Sequence, residues 1–260
     1  MHSTGFTVMF AAAVCVVCSI FVAGSAVSLK DRQQENKLLD RQSKVLSVAG
    51  LMEEGETLGR DQIQKIFDEN IEPVVVDLET GEVAPDIDPT TFDQQKAAKD
   101  PATSEPAPPN AAKVRRLPDH ALVYKVKEGE ATKTLILPVE GKGLWSTLYG
   151  FLAVDASDLN TVKGITFYQH AETPGLGGEV DNPAWKARWP GRKLFDDSGE
   201  PVLAVKKGAA GPPEDDPYFV DGLSGATLTS RGVTHLVQFW VGEHGFGPYL
   251  KKYGEKHGIN

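Results

Sequence analysis

Residues 221–230 read Asp-Gly-Leu-Ser-Gly-Ala-Thr-Leu-Thr-Ser, which puts two glycines and four hydroxyl side chains into ten positions. The stretch runs into the spacing Val233, Leu236, Val237, Trp240, the apolar face of a helix. A small-residue loop that opens a helix is a place to hold phosphate. The first N–H groups of the helix lack intrahelical acceptors there, and the helix dipole favours negative charge. Retention of a phosphorylated group is the chemistry to expect.

A second stretch, His170-Ala-Glu-Thr-Pro-Gly-Leu-Gly-Gly-Glu179, begins where a strand ends, and its Pro-Gly and Gly-Gly pairs force a tight, exposed backbone path. His170 and Glu172 match the His-x-Glu pair of zinc deaminases, but the Pro-Cys-x-x-Cys that completes that site is absent. Read alone, the segment is a glycine-rich loop. Other cofactor and catalytic signatures are missing. Ser224-Gly225 does not sit in a Gly-x-Ser-x-Gly elbow. Neither a phosphate-loop Gly-x-x-x-x-Gly-Lys-Ser/Thr nor a Gly-x-Gly-x-x-Gly after a strand occurs.

Composition narrows the classes further. The 260 residues carry a net charge of −9, which argues against nucleic acid, since phosphate-backbone binding needs clustered Lys and Arg. Both cysteines, Cys15 and Cys18, lie in the apolar N-terminal segment, with no further soft ligand to close a zinc or iron–sulfur site. Their Cys-x-x-Cys spacing is either two small apolar residues one helical turn apart or half of a cluster shared with another subunit. Beyond that segment there is no cysteine, so thiol catalysis and a disulfide framework have no basis.

These motifs must be positioned by the elements around them. Phe6 to Leu29 holds 24 residues without a charge. At 1.5 Å per residue this reaches about 36 Å, enough to cross a hydrocarbon core of about 30 Å. The segment reads as one transmembrane helix. A cleaved signal peptide is the competing reading, but a basic n-region is missing and the apolar run is too long. No Lys or Arg precedes the span, whereas Lys30, Arg32, Lys37 and Arg41 follow it, so charge alone puts the large domain in the cytoplasm. Helices are expected over Leu38–Leu51 and Asp61–Phe67, a short strand over Val74–Leu78 and a turn at Thr80-Gly81. Seven prolines between Pro85 and Pro118 mark a surface excursion or linker. Strands follow at Ala121–Lys127, Thr134–Val139, Tyr149–Val154, Lys163–Gln169 and Pro201–Lys206, before the long helix after Thr227. Strands in series with segregated helices indicate an α+β fold.

Asp221-Gly222-Leu223-Ser224-Gly225-Ala226-Thr227 resembles the flavinylation signature of FMN-binding domains, in which the hydroxyl of the last Thr is esterified to the FMN phosphate. Three further stretches join it: His170 to Gly177, the following Gly178-Glu-Val-Asp-Asn-Pro-Ala-Trp-Lys186, and the tail from Phe239-Trp240 to Gly245-Phe-Gly-Pro-Tyr-Leu250. Together they resemble one family across essentially the whole chain: the C subunits of the sodium-translocating NADH:quinone oxidoreductase.

The resemblance implies an anchor over 1–29, a segment 30–118 packed on or leading to the main domain, and an FMN-binding domain over 119–260 with an antiparallel or mixed sheet. It implies one FMN joined through its phosphate to Thr227, with Ser224, Gly225 and Ala226 keeping the backbone open around it. Thr229 and Ser230 are the rival acceptors; otherwise they cap the helix. The Glu172 to Gly177 loop is expected against the flavin, with Thr173 hydrogen-bonding it and Leu176 covering an apolar face. Lys207 is either a positive charge near the cofactor or a solvated surface lysine, and Trp145 either walls the pocket or belongs to the core. Asp221 is either recognised by the flavin transferase that modifies the chain or is an N-cap or turn former. The implied function is electron relay within a multi-subunit complex of the bacterial inner membrane that oxidises NADH, reduces ubiquinone and exports sodium. The family also implies a periplasmic domain, against the charge count. The G subunit of the related ferredoxin:NAD oxidoreductase complex shares the flavin threonine and is the nearest alternative. A membrane-anchored flavin sensor or assembly protein without catalytic partners is the other.

Overall fold

The computed structural model describes residues 3–53 and 55–259. It opens with α1 (Thr4–Val48), whose uncharged first part is long and apolar enough to cross a membrane and carries the exposed, unpaired Cys15 and Cys18. No Gly or Pro interrupts residues 30–37. The helix expected from Leu38 is therefore the continuation of α1 rather than a separate element. By compactness the chain forms two units, one ending at Arg41 and one beginning at Gln42.

In the second unit, α2 (Arg60–Asn70) leads into β1 (Ile71–Asp77). The proline-rich excursion then carries α3 (Gln94–Ala97), β2 (Ser104–Pro106) and β3 (Arg116–Pro118). It is no free linker, because Ala112 and Val114 enter the main core and Lys142 N–H donates to the Ala112 carbonyl at 2.8 Å. The strands β4 (His120–Glu128), β5 (Ala131–Lys142), β6 (Thr147–Asp155) and β7 (Val162–Gln169) follow. They form a five-stranded antiparallel sheet in the order β1-β4-β5-β6-β7, confirming the α+β reading. Lys142 pairs with Thr147, so only residues 143–146 connect β5 to β6.

After β7 come a 3-10 turn at Gly177–Asp181, α4 (Pro183–Lys186), and two-residue strands β8 (Ala204–Val205) and β9 (Phe219–Val220), which pair in parallel. The strand expected over Pro201–Lys206 shrinks to β8 because the N–H groups of Val202 and Leu203 both turn to the Leu194 carbonyl, at 2.9 and 3.3 Å. The chain ends with α5 (Thr227–Val241) and α6 (Gly247–His257).

Both faces of the sheet are covered, which is why β5 reads as an unbroken apolar run, Leu135-Ile-Leu-Pro-Val139, rather than as an alternation. On one face Val233, Leu236, Val237 and Trp240 of α5 close the main core over Leu135, Leu137 and Val139. The other face buries Leu46, Ile63 and Phe67, and an edge-on ladder runs from Phe67 through Tyr124 to Phe151, with ring centroids 6.1 and 5.8 Å apart.

Two glycines set how closely α5 approaches β5. A Cβ on Gly232 would lie 2.4 Å from the Lys142 carbonyl oxygen, and one on Gly141 would lie 2.6 Å from Leu236 Cβ. Trp240 closes the seam by donating its indole N–H to the Glu140 carbonyl at 2.7 Å. A methyl at position 232 meets backbone, which cannot rotate away. Gly232→Ala should therefore lift the start of α5 and destabilise the full-length protein by about 1–3 kcal/mol, read as a lower urea midpoint with unchanged slope.

Candidate functional site

Three segments distant in sequence converge on the carboxylate of Glu172. It accepts hydrogen bonds from the N–H groups of Leu144 (3.1 Å), Trp145 (3.0 Å) and Ser146 (3.0 Å), all on the β5–β6 connector. The Ser146 hydroxyl approaches at 3.3 Å, and from α5 the Thr229 hydroxyl donates at 2.7 Å. Two glycines leave room for this knot. A Cβ on Gly143 would sit 2.6 Å from Glu172 Oε1, and one on Gly177 would sit 2.5 Å from Thr229 Oγ1 and 2.8 Å from Glu172 Oε2. Burial pushes the Glu172 carboxyl up, but the Thr229 hydroxyl and the N–H groups of Ser146, Trp145 and Leu144 outweigh it and hold the group below its ordinary 4.5.

The loop around Glu172 is tied at both ends. Glu172 N–H donates to His170 Nδ1 at 3.2 Å, which leaves Nε2 to carry the proton toward Asp181, 2.8 Å away. The hydrogen bond to Asp181 raises His170 above its ordinary 6.5. Within the loop the N–H groups of Leu176 and Gly178 both donate to the Thr173 carbonyl, and Gly175 adopts φ +75°. Thr173 and Leu176 face outward, whereas Gly177 is buried against Thr229.

At the start of α5 the N-cap residue is Ala226, which makes no side-chain cap and whose methyl joins the main core. Gly225 precedes it at φ +70°, with Leu176 close against its Cα. The four hydroxyls of the stretch divide cleanly. Ser224 and Thr227 are exposed. Thr229 is fully buried on Glu172, and Ser230 is buried with its oxygen accepting Leu223 N–H at 3.1 Å. Neither of the buried pair caps the helix.

Apolar side chains stand exposed around this opening: Trp145 at 67%, Leu228 at 54% and Leu176 at 44%. The core reading of Trp145 is thereby excluded, since the backbone N–H is drawn onto Glu172 while the ring lies outside. Asp221 is likewise no N-cap. Its Oδ1 accepts Ala210 N–H at 2.8 Å, its carbonyl accepts the Trp185 indole N–H at 2.8 Å, and Arg188 lies 3.8 Å from Oδ2. These contacts fasten it to the segment that carries Lys207, where Gly222 N–H donates to the Gly208 carbonyl at 2.8 Å. Buried Arg192 braces the same segment through the Gly211 and Asp216 carbonyls. Lys207 itself is exposed. The structure thus brings Trp145, Glu172, Leu176, Gly177 and Gly225 together around the Thr229 knot; Asp221 and Lys207 form a neighbouring cluster, linked to Thr227 through the chain.

Sequence reasoning did not foresee Gly143, Leu144, Ser146 or Leu228 at the site, nor Thr229 as a partner of Glu172. A Gly and a Ser bracketing Leu-Trp between two strands is the one local signal for the connector. The 57-residue separation of Glu172 and Thr229 leaves none.

A family model described as FMN-binding domain matches residues 143–242, from the first glycine of the connector to just past α5. The chain is 47% identical over 256 residues to the C subunit of the Na(+)-translocating NADH-quinone reductase of Yersinia pestis, covering 97% of this chain and 94% of that one. It is 50% identical over 252 residues to the protein of that name from Pseudomonas aeruginosa, covering 96% and 95%. Among solved structures, the crystal structure of Shewanella oneidensis NqrC matches with a TM-score of 0.77 and 34% identity over 86% of this chain and 99% of that one. The C subunit of the Na(+)-translocating NADH-quinone reductase from Parabacteroides distasonis matches with a TM-score of 0.65 and 26% identity over 85% and 96%.

Because the folded-state value of Glu172 is depressed, the stabilisation it provides is full above its unfolded value near 4.5 and is lost as pH falls through the lower folded value. Glu172→Gln should cost on the order of 2 kcal/mol at pH 7. The gap between the two melting temperatures should close as the pH is lowered below 4.5; a pH-independent gap would mean that the charge is not what joins the segments.

Proposed function

Since the chain belongs to the family of Na(+)-translocating NADH-quinone reductase C subunits, we propose that it carries its flavin as a phosphoester on Thr227. It is an electron-transfer subunit of a sodium-translocating NADH-quinone reductase, with an FMN-binding domain and an N-terminal helix that fits membrane anchoring. Its relatives over nearly the whole chain are C subunits of that reductase, which favours neither the G subunit of the ferredoxin:NAD oxidoreductase nor a sensor without partners.

One observation carries the attachment site. Of the two threonines in the stretch, only Thr227 is exposed, while Thr229 is fully buried in the Glu172 knot. The residues present fit the group. As the first residue of α5, Thr227 follows an N-cap without a side-chain acceptor, so an anion at its hydroxyl meets helix N–H groups that no cap occupies. Ser224 and Gly225 flank it on the open side. FMN, when bound, supplies the ability to accept and pass on single electrons. A phosphate tether leaves the ring's potential to its noncovalent contacts.

The chain's own part is positioning. Trp145, Leu176 and Leu228 offer apolar surface for the ring, and Thr173 offers a hydroxyl. The Glu172 carboxylate is taken up by the protein, so it acts by fixing Trp145 and the loop rather than by touching the ring. Ala226 acts through its backbone, and Gly177 by leaving space for Thr229. Exposed Lys207 offers a positive charge, and Asp221 holds the segment that bears it while remaining a recognition element for a flavin transferase. The further reading is a bacterial inner-membrane protein with a periplasmic domain and ubiquinone as the acceptor of the whole complex.

In denaturing gels the wild-type band should fluoresce under ultraviolet light, and its Thr227 peptide should carry the mass of FMN less water. Thr227→Ala should abolish both signals, whereas Thr229→Ala should retain some; fluorescence that survives Thr227→Ala refutes the attachment site. Protease added to spheroplasts should digest the domain, and protection there would place it in the cytoplasm instead.

A further inference from the structure

Between the proline-rich excursion and the ends of β5 and β6 lies a cleft of about 1410 Å³. Lys99, Lys113, Arg115, Arg116 and Lys142 line it, against a single carboxylate, Glu140. In a chain of net charge −9 this inverts the prevailing sign. Burial pushes Glu140 up to about 7, opposed by Lys99, so the floor cancels only part of that positive charge.

Several lysines elsewhere in the domain are paired within the chain, whereas, among the described residues, four of the five cations gathered in this cleft are not. Lys127, Lys133, Lys163, Lys193, Lys206 and Lys252 each meet a carboxylate of this chain at 2.5–3.1 Å. Lys99, Lys113, Arg115 and Lys142 are exposed, and among the described residues none has a carboxylate within 4.0 Å. Arg116 instead braces the excursion by donating from Nε to Ser104 Oγ at 2.8 Å.

The lip of the cleft is also held in a costly shape. Lys113 has φ +58°, a left-handed conformation that disfavours a residue with a Cβ. Asn110 enforces it, donating to the Pro108 and Val114 carbonyls at 2.8 and 2.9 Å and accepting Val114 N–H at 3.0 Å. On the far wall the Lys142 ammonium donates to the Trp145 carbonyl at 2.9 Å, so the cleft shares a residue with the connector of the flavin site.

We propose that this cleft is a docking surface for an acidic face of a neighbouring protein subunit in the reductase. The inference rests on the proposed function above. A cleft of about 1410 Å³ with five cationic residues on its lining is far larger than a single phosphate needs, which suits a protein surface better. Such complementarity governs orientation, encounter rate and salt dependence more than raw affinity.

The test uses the purified, detergent-solubilised complex and a carbodiimide, which joins a lysine amine to a nearby carboxylate as an amide with loss of water. Amides from Lys99 or Lys113 to Asp or Glu of another subunit are expected. The triple variant Lys99→Glu, Lys113→Glu, Arg115→Glu should keep its fluorescent flavin band yet leave the complex at a salt concentration lower by about twofold or more. Lys142 stays intact, because it also holds Trp145. Cross-links confined to this chain, or a release curve that superimposes on the wild type, would overturn the docking surface. So would inorganic phosphate that blocks the lysines while assembly is unaffected, since that marks a small-anion site. Absence of the wild-type chain from the reductase would instead remove the function on which the proposal rests.

Discussion

The Glu172 carboxylate and its donors hold each other in place. An ionised carboxylate so nearly withdrawn from water is tolerable only when fixed dipoles replace its hydration, and here three consecutive backbone N–H groups and two hydroxyls do so. In return the charge fixes the β5–β6 connector, which has no secondary structure of its own, and docks it to the buried side of α5. Trp145 is aimed outward because its N–H is aimed inward. Thr227 gains its exposure the same way, since the knot buries Thr229, two residues further along the helix.

How much of this the sequence disclosed follows the range of the interactions. Periodicity and turn residues marked β1, β4 to β7, α2 and α5 within a few residues of where they lie, because those signals are local. The strand over Pro201–Lys206 was mostly lost because its N–H groups are claimed by Leu194, a tertiary contact that no pattern announces. The continuity of α1 was obscured by the change from apolar to charged residues, which alters the surroundings of a helix without breaking it. At the site, the hydroxyl-rich stretch and the glycine loop were legible as motifs. Their meeting point was not, for Glu172 and Thr229 are joined only through the packing of α5 across β5.

Electrostatics divides the domain into two kinds of surface. Several of its lysines are neutralised within the chain, three of them across neighbouring strands of the sheet, and such exposed pairs contribute little to stability. The cleft beside the 94–116 excursion is the contrasting surface, with five cations on its lining against one carboxylate. The regular structure of the excursion is limited to α3 and the short β2–β3 pair, so its geometry is fixed also by Asn110, Arg116 and the Lys142–Ala112 hydrogen bond.

The glycines at 141, 143, 177 and 232 stand where any side chain would strike a neighbour, whereas Trp145, Leu176 and Leu228 have little burial to lose. Around the site the scaffold is therefore intolerant of drift at these glycines and permissive at these three apolar side chains. Lineages can alter the apolar rim without passing through unstable intermediates. Homologues should differ in those three side chains long before they differ in a single one of the glycines behind them.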